Sequence, residues 1–187
     1  MRVITLNTTE FSKACSRLKG MLGDFDPDMV VAIPTGGNYV ANAMFPDKPI
    51  AEISAHRAST ERKKSSPILQ WLLKHAPYPM LDTMRIIESY ALRLSAHKPK
   101  TIDTGSIGQS VKDALRRAEK ILIVDDAIDS GATAGAVASA VRDLAPKATV
   151  RIAVITVSTP KPMIQPDFSL YNNQTLARFP WSMDMKK

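Results

Sequence analysis

One continuous stretch constrains this chain more than any other: Ile121-Leu122-Ile123-Val124-Asp125-Asp126-Ala127-Ile128-Asp129-Ser130-Gly131-Ala132-Thr133. Four aliphatic residues in a row make a strand buried on both faces, because an unalternated apolar run leaves no side for water. That strand delivers two adjacent carboxylates, Asp125 and Asp126, to its carboxyl end. The turn that follows leads into an Ala-rich helix, and Gly131 lets the backbone approach a ligand closely. Amides at the start of that helix would cradle a phosphate, with the Ser130 and Thr133 hydroxyls as further donors. Acids beside a phosphate site serve a ligand that brings hydroxyl groups or a metal. A sugar phosphate meets both needs.

Similar elements recur along the chain. Strand signals stand at Met29-Val30-Val31-Ala32-Ile33, at Pro49-Ile50-Ala51-Glu52-Ile53-Ser54 and at Val150-Arg151-Ile152-Ala153-Val154-Ile155-Thr156-Val157. Helical stretches lie between them: residues 11–21, a segment opening after Gly36-Gly37, and residues 132–144, stopped by Pro146. This alternation predicts an α/β fold, a parallel sheet flanked by helices, with ligands at the carboxyl ends of its strands. Between Ser54 and Ile121 the pattern changes. Residues 68–75 form a short apolar helix candidate, and Met80, Met84, Ile87, Ala91 and Leu94 recur at the spacing of an amphipathic helix. That stripe reads as a core face, or else as an interface or lid.

Composition narrows the function classes. With 187 residues, 44% hydrophobic and 23% charged, the chain suits one globular domain able to bury a core. No apolar run has the length of a membrane span, and the start lacks a secretory signal's apolar stretch. The single Cys15 excludes an internal disulfide and a Cys-rich zinc module, so a cytoplasmic setting is expected. The net charge of +7 suits an anionic partner. Its basic clusters, Arg57 with Arg62, Lys63 and Lys64, and Arg116 with Arg117 and Lys120, carry few aromatics, so a base-stacking nucleic-acid platform is not expected.

The 121–133 segment resembles the phosphoribosyl-pyrophosphate (PRPP) motif of the type I phosphoribosyltransferases, which reads four apolar residues, two acids, a short turn, then Thr/Ser-Gly-x-Thr. The resemblance implies that Asp125 and Asp126 hold the ribose hydroxyls and Mg²⁺. It implies that Asp129, Ser130, Gly131, Ala132 and Thr133 hold the 5′-phosphate, with Asp129 as general acid/base. Val30-Val31-Ala32-Ile33-Pro34-Thr35-Gly36-Gly37-Asn38 is similar to the family's pyrophosphate loop, so Thr35, Gly36 and Gly37 would meet the leaving group. Many relatives carry Arg or Lys where this chain has Thr35. The run from Ile53 through His56 and Arg57 to Lys64 resembles the mobile loop that closes over PRPP, which implies Arg57 and Lys63 as pyrophosphate ligands. Leu176-Ala177-Arg178-Phe179-Pro180-Trp181-Ser182-Met183-Asp184 resembles the hood of the xanthine–guanine and hypoxanthine branch, with Phe179 or Trp181 covering a base or sealing the core. That branch usually places a Lys before a proline after the last core strand. Here Ser158-Thr159-Pro160 stands there, Lys161 is a candidate substitute from a shifted position, a choice the sequence leaves open, and Leu176 replaces the base-stacking aromatic.

The resemblance spans residues 29–54, 121–156 and 166–184. It implies one phosphoribosyltransferase domain over 1–187, with a core at about 22–56 and 110–158, a helical insertion at about 66–100, and a hood from the N-terminal segment and 160–187. The expected activity is Mg²⁺-dependent transfer of the phosphoribosyl group from PRPP to a 6-oxopurine-like base, in a homodimer. The alternatives are a non-nucleobase acceptor in a specialised pathway, and a non-catalytic PRPP-sensing regulator.

Overall fold

The computed structural model describes residues 1–55, 76–95, 101–172 and 174–186. A five-stranded sheet forms the centre, in the order β3 (Ile50–Glu52), β2 (Met29–Ala32), β4 (Lys120–Ile128), β5 (Thr149–Val157), β6 (Phe168–Tyr171), with every pair parallel. β1 (Arg2–Thr5) and β7 (Thr175–Arg178) pair with each other, also in parallel, in a separate two-stranded sheet. The segment from 160 onward thus contributes both an edge strand of the main sheet, β6, and the small sheet's β7.

The unalternated apolar runs are buried on both faces, as parallel strands covered by helices require. Leu122 and Val124 of β4 join Val30, Ala32 and Ile155 under α1 (Thr8–Met21) and α2 (Gly36–Met44). Ile121 and Ile123 join Val31, Ile152 and Val154 on the opposite face, under α4 (Gln109–Arg117) and α5 (Ala132–Leu144). A capping box of Asn7 and Glu10 sets the start of α1. The order reverses between β2 and β4: β3 continues to one side, β5 and β6 to the other. Such a switch point opens a crevice outside the strands' carboxyl ends. β2 leads there into the Gly36-Gly37 turn, and the paired acids stand in the last part of β4.

Two expectations need correcting. β4 does not stop at Val124. It continues through Asp125 and Asp126 to Ile128, because β5's equally long run stays paired beside it, Asp125 opposite Val154 and Ile128 opposite Val157. The helix expected around Met80–Leu94 is present as α3 (Tyr78–Ser95), but among its described side chains two of the apolar stripe, Met80 and Ile87, are not packed. Met80 and Ile87 are 46% and 63% exposed, whereas Leu81 and Ser89 are buried. The reason is electrostatic: Asp82 and Arg85, on the side of Leu81 and Ser89, are drawn into ion pairs with the C-terminal segment. The helix candidate at 68–75 lies outside the described residues. Among the described residues no helix is long and apolar enough to cross a membrane.

Candidate active site

The crevice is built by close backbone approach. A methyl group on Gly36 would overlap the Asp126 carboxylate, and one on Gly37 would overlap the Val124 carbonyl and stand 3.2 Å from Asp125 Cα. Only glycines let the start of α2 sit this tightly against the acid pair. Thr35, exposed, precedes them, with no side-chain bond capping the helix and a cis peptide linking it to Pro34. Beyond β4, Gly131 takes φ +80° at the head of α5, where a side chain would also press within 3.0 Å of the Ile164 amide. The Ser130 hydroxyl accepts from the Ala132 amide at 3.3 Å, and the Ser130 carbonyl accepts from Met163 N–H at 2.8 Å. These bonds fix the turn that leads into Ala132 and Thr133.

The acids are held in an unusual electrostatic state. Burial and the neighbouring Asp126 charge push Asp125 well above the ordinary carboxylate range. Burial raises Asp126 as well, opposed by hydrogen bonds from Asp125, the Ala127 amide and Trp181. Two close carboxylates in a poorly hydrated floor resist carrying two full charges. Hydroxyl donors or a cation arriving with a ligand would relieve that cost. Among the described residues no group of three or more His, Cys, Asp or Glu is placed to hold a metal ion by itself. Asp125 and Asp126 offer carboxylate oxygens, the donor type that Mg²⁺ takes alongside waters and substrate oxygens.

A cavity of about 360 Å³ opens beside them. Asp126, Ala127 and Asp129 line it from β4 and its end, Thr156 and Ser158 from β5 and its end, Leu176, Ala177, Phe179, Trp181 and Ser182 from the C-terminal segment, and Arg85 and Ser89 from α3. Of the residues expected from sequence, Asp126, Asp129, Phe179 and Trp181 share this cavity; Asp125, Gly36 and Gly37 are outside its lining, Gly36 against the Asp126 carboxylate and Gly37 against the backbone of Val124 and Asp125. Ser130 to Thr133 continue from Asp129 into α5. Lys161 is exposed, away from the cavity wall. His56, Arg57 and Lys63 lie outside the described residues. The aromatic rings engage one another: Trp181 stacks on Tyr39 at 4.3 Å and on Phe179 at 5.0 Å, with Phe11 edge-on at 5.0 Å. Phe179 is only 4% exposed, so the pair seals the cavity's hood side.

Three contributors were not legible as site residues. Ser158 donates a short hydrogen bond to Asp129, and its only sequence signal was standing where relatives carry lysine. Arg85 and Ser89 arrive from α3. Arg85 donates to Asp184 through Nε at 2.7 Å and through Nη2 at 2.5 Å, and to the Ala177 carbonyl at 3.1 Å. Arg178, 1% exposed, donates to Asp184 at 2.9 Å, Asp82 at 2.7 Å and the Thr5 hydroxyl at 2.8 Å. Burial alone would raise the Asp184 carboxyl. Hydrogen bonds from Arg85 and Arg178, with their charges, outweigh it and hold the group at about 2. Residues 85 and 184 are too distant in sequence for any local signal.

A doubly wound parallel sheet with a Gly-Gly turn, an acid pair and a glycine-started helix at its switch point defines a nucleotide- or sugar-phosphate-type site. The phosphoribosyl transferase domain model matches residues 9–187, and the chain belongs to that family of enzymes. No curated protein matches significantly by sequence. Among solved structures, the chain is similar to a purine phosphoribosyltransferase from Pyrococcus horikoshii Ot3, at 19% identity and TM-score 0.60, covering 97% of this chain and 94% of the other. It is also similar to the Helicobacter pylori xanthine-guanine-hypoxanthine phosphoribosyltransferase, at 16% identity and TM-score 0.61, covering 98% and 95%. A third, from Neisseria gonorrhoeae with bound ppGpp, shares 15% identity at TM-score 0.57, covering 96% and 89%. These likenesses agree with the α/β fold expected from sequence.

Proposed function

We propose that this phosphoribosyltransferase moves the 5-phosphoribosyl group of PRPP onto a ring nitrogen of a purine-type base, with 6-oxopurines favoured and pyrophosphate released. The observation that carries the reading is the meeting of the Gly36-Gly37 turn, the Asp125–Asp126 pair and the Asp129 edge of one small cavity. Asp125 and Asp126 accept the ribose hydroxyls, whose donors offset the cost of the buried acid pair. The amides at Gly36 and Gly37 face the departing pyrophosphate, and those at the start of α5 face the 5′-phosphate. When bound, Mg²⁺ supplies charge neutralisation on pyrophosphate and is held by Asp125 and Asp126.

In the transfer the C1′–O bond to pyrophosphate breaks and pyrophosphate keeps the electron pair. The base nitrogen forms the new N–C1′ bond, and its proton passes to Asp129, which Ser158 holds in place. The stacked Phe179 and Trp181 exclude water from one side. Purine-type acceptors are supported by the size of the cavity and its flat aromatic and aliphatic walls, and by the two purine enzymes among the similar folds.

The test is ³¹P NMR of PRPP with the protein, Mg²⁺ and single bases. Pyrophosphate appearing only with hypoxanthine or guanine is expected. PRPP that stays intact with every base, while its signals shift on binding, would turn the reading towards a binding protein.

A further inference from the structure

The described part of the insertion does more than cover the cavity. Arg85 and Ser89 lie one turn apart on α3 and line the same cavity as Asp126 and Asp129. A guanidinium has five N–H donors. Three of Arg85's are committed: Nε and one Nη2 hydrogen to Asp184, one Nη1 hydrogen to the Ala177 carbonyl. Among the described residues the remaining two find no partner, and the side chain keeps 24% of its exposure. The clamp thus pins the guanidinium in one plane while leaving two donors on its outer edge.

Charge decides what those donors can serve. Arg85 and Arg178 are matched one for one by Asp82 and Asp184. Among the described residues the cavity then holds no uncommitted cation beside Asp126 and Asp129, so nothing there is placed to pair with an acceptor's own carboxylate. A neutral ring whose carbonyl oxygen takes the spare N–H groups fits.

Resting on the phosphoribosyl-transfer reading above, we propose that Arg85 is the acceptor-selecting residue. Its two uncommitted N–H groups hold the exocyclic oxygen of a neutral, lactam-type heterocycle, Ser89 is a further donor, and the ring nitrogen to be ribosylated faces Asp129. Specificity in this enzyme therefore resides in α3.

Steady-state kinetics with hypoxanthine, and with purine as the same ring lacking that oxygen, test the assignment. The wild-type protein should prefer hypoxanthine by at least about 100-fold, since purine leaves the polar donors unmet. Arg85→Gln should shrink that preference by about tenfold or more, mainly through the hypoxanthine KM, with the PRPP KM within about twofold. Asp82→Asn removes the Arg178 ion pair but leaves all three Arg85 bonds in place, so it should lower Tm and slow both bases by one factor, preserving the preference. Intact preference in Arg85→Gln overturns the proposal, as does equal loss of preference in Asp82→Asn, which would make α3 a structural brace. Those results leave the transferase reading standing. A wild-type protein that transfers to no base removes that reading and this inference together.

Discussion

The cavity has two walls of opposite construction. The carboxyl-edge wall is local: one strand–turn–helix and one glycine turn supply its acids and amides, and the sheet beneath is apolar and fully buried. The wall formed by α3 and the C-terminal segment is assembled from three distant stretches, around Thr5, Asp82–Arg85 and Arg178–Asp184, and is held by two guanidiniums and two carboxylates. On the first wall backbone geometry sets the positions of the acids and amides. On the second a few side chains decide the packing.

The sharpest way to break this contrast is Asp125→Asn with Asp126→Asn. Turnover should fall by about 10²–10³-fold or more, as when preorganised electrostatic groups are removed. Thermal stability should be nearly retained, because burial already disfavours both charges. A large loss of Tm in that double variant would show the pair to be structural. Pyrophosphate release and circular dichroism on the same samples measure both.

On the other wall, Asp184→Asn leaves two guanidiniums without their shared partner and should cost about 3 kcal/mol. For a domain of this size that is a fall in Tm of roughly 6–12 °C. The pH dependence follows from the sign of the shift. The folded carboxyl is held at about 2, below its ordinary value. Its stabilisation is complete above about pH 4–5 and is lost as pH falls towards 2. The variant's stability should therefore change less than the wild type's over that interval, in urea melts at stepped pH.

Gly37→Ala is a smaller perturbation of the first wall. The methyl group meets the Val124 carbonyl, and relieving that overlap should cost about 1–3 kcal/mol and move α2 off the acid pair. Chemical denaturation and the PRPP KM should worsen together. The smallest effect belongs to Ile87→Ser. At 63% exposure it should change stability by no more than about 0.5 kcal/mol. A loss of about 2 kcal/mol or more, as for a core aliphatic, would restore the stripe as a packing face.

What could be read in advance follows the same division. The run from Ile121 to Thr133 announced its strand, acids and turn because each step is a neighbour effect: apolar continuity, glycine freedom, helix start. Even there β4's length was misjudged, since its extension depends on pairing with β5 and not on its own residues. α3 was legible as a helix but not in orientation. Its hydrophobic period pointed one way and two ion pairs turned it the other, a choice set by Asp184 and Arg178 nearly a hundred residues downstream. Ser158 was legible only as a departure from a pattern, and its bond to Asp129 joins the ends of two adjacent strands.

A helix docked through its polar side opens differently from one docked through oil. Among the described side chains of α3, Leu81 is the one fully buried aliphatic, while four ionic groups hold the helix to the hood. Its amide exchange should therefore proceed by an opening with a small denaturant slope, well below that of the sheet. Acid, which removes the Asp184 charge, should accelerate that opening far more than urea does. One wall of the cavity would then yield to protons, while the other yields only to unfolding of the whole domain.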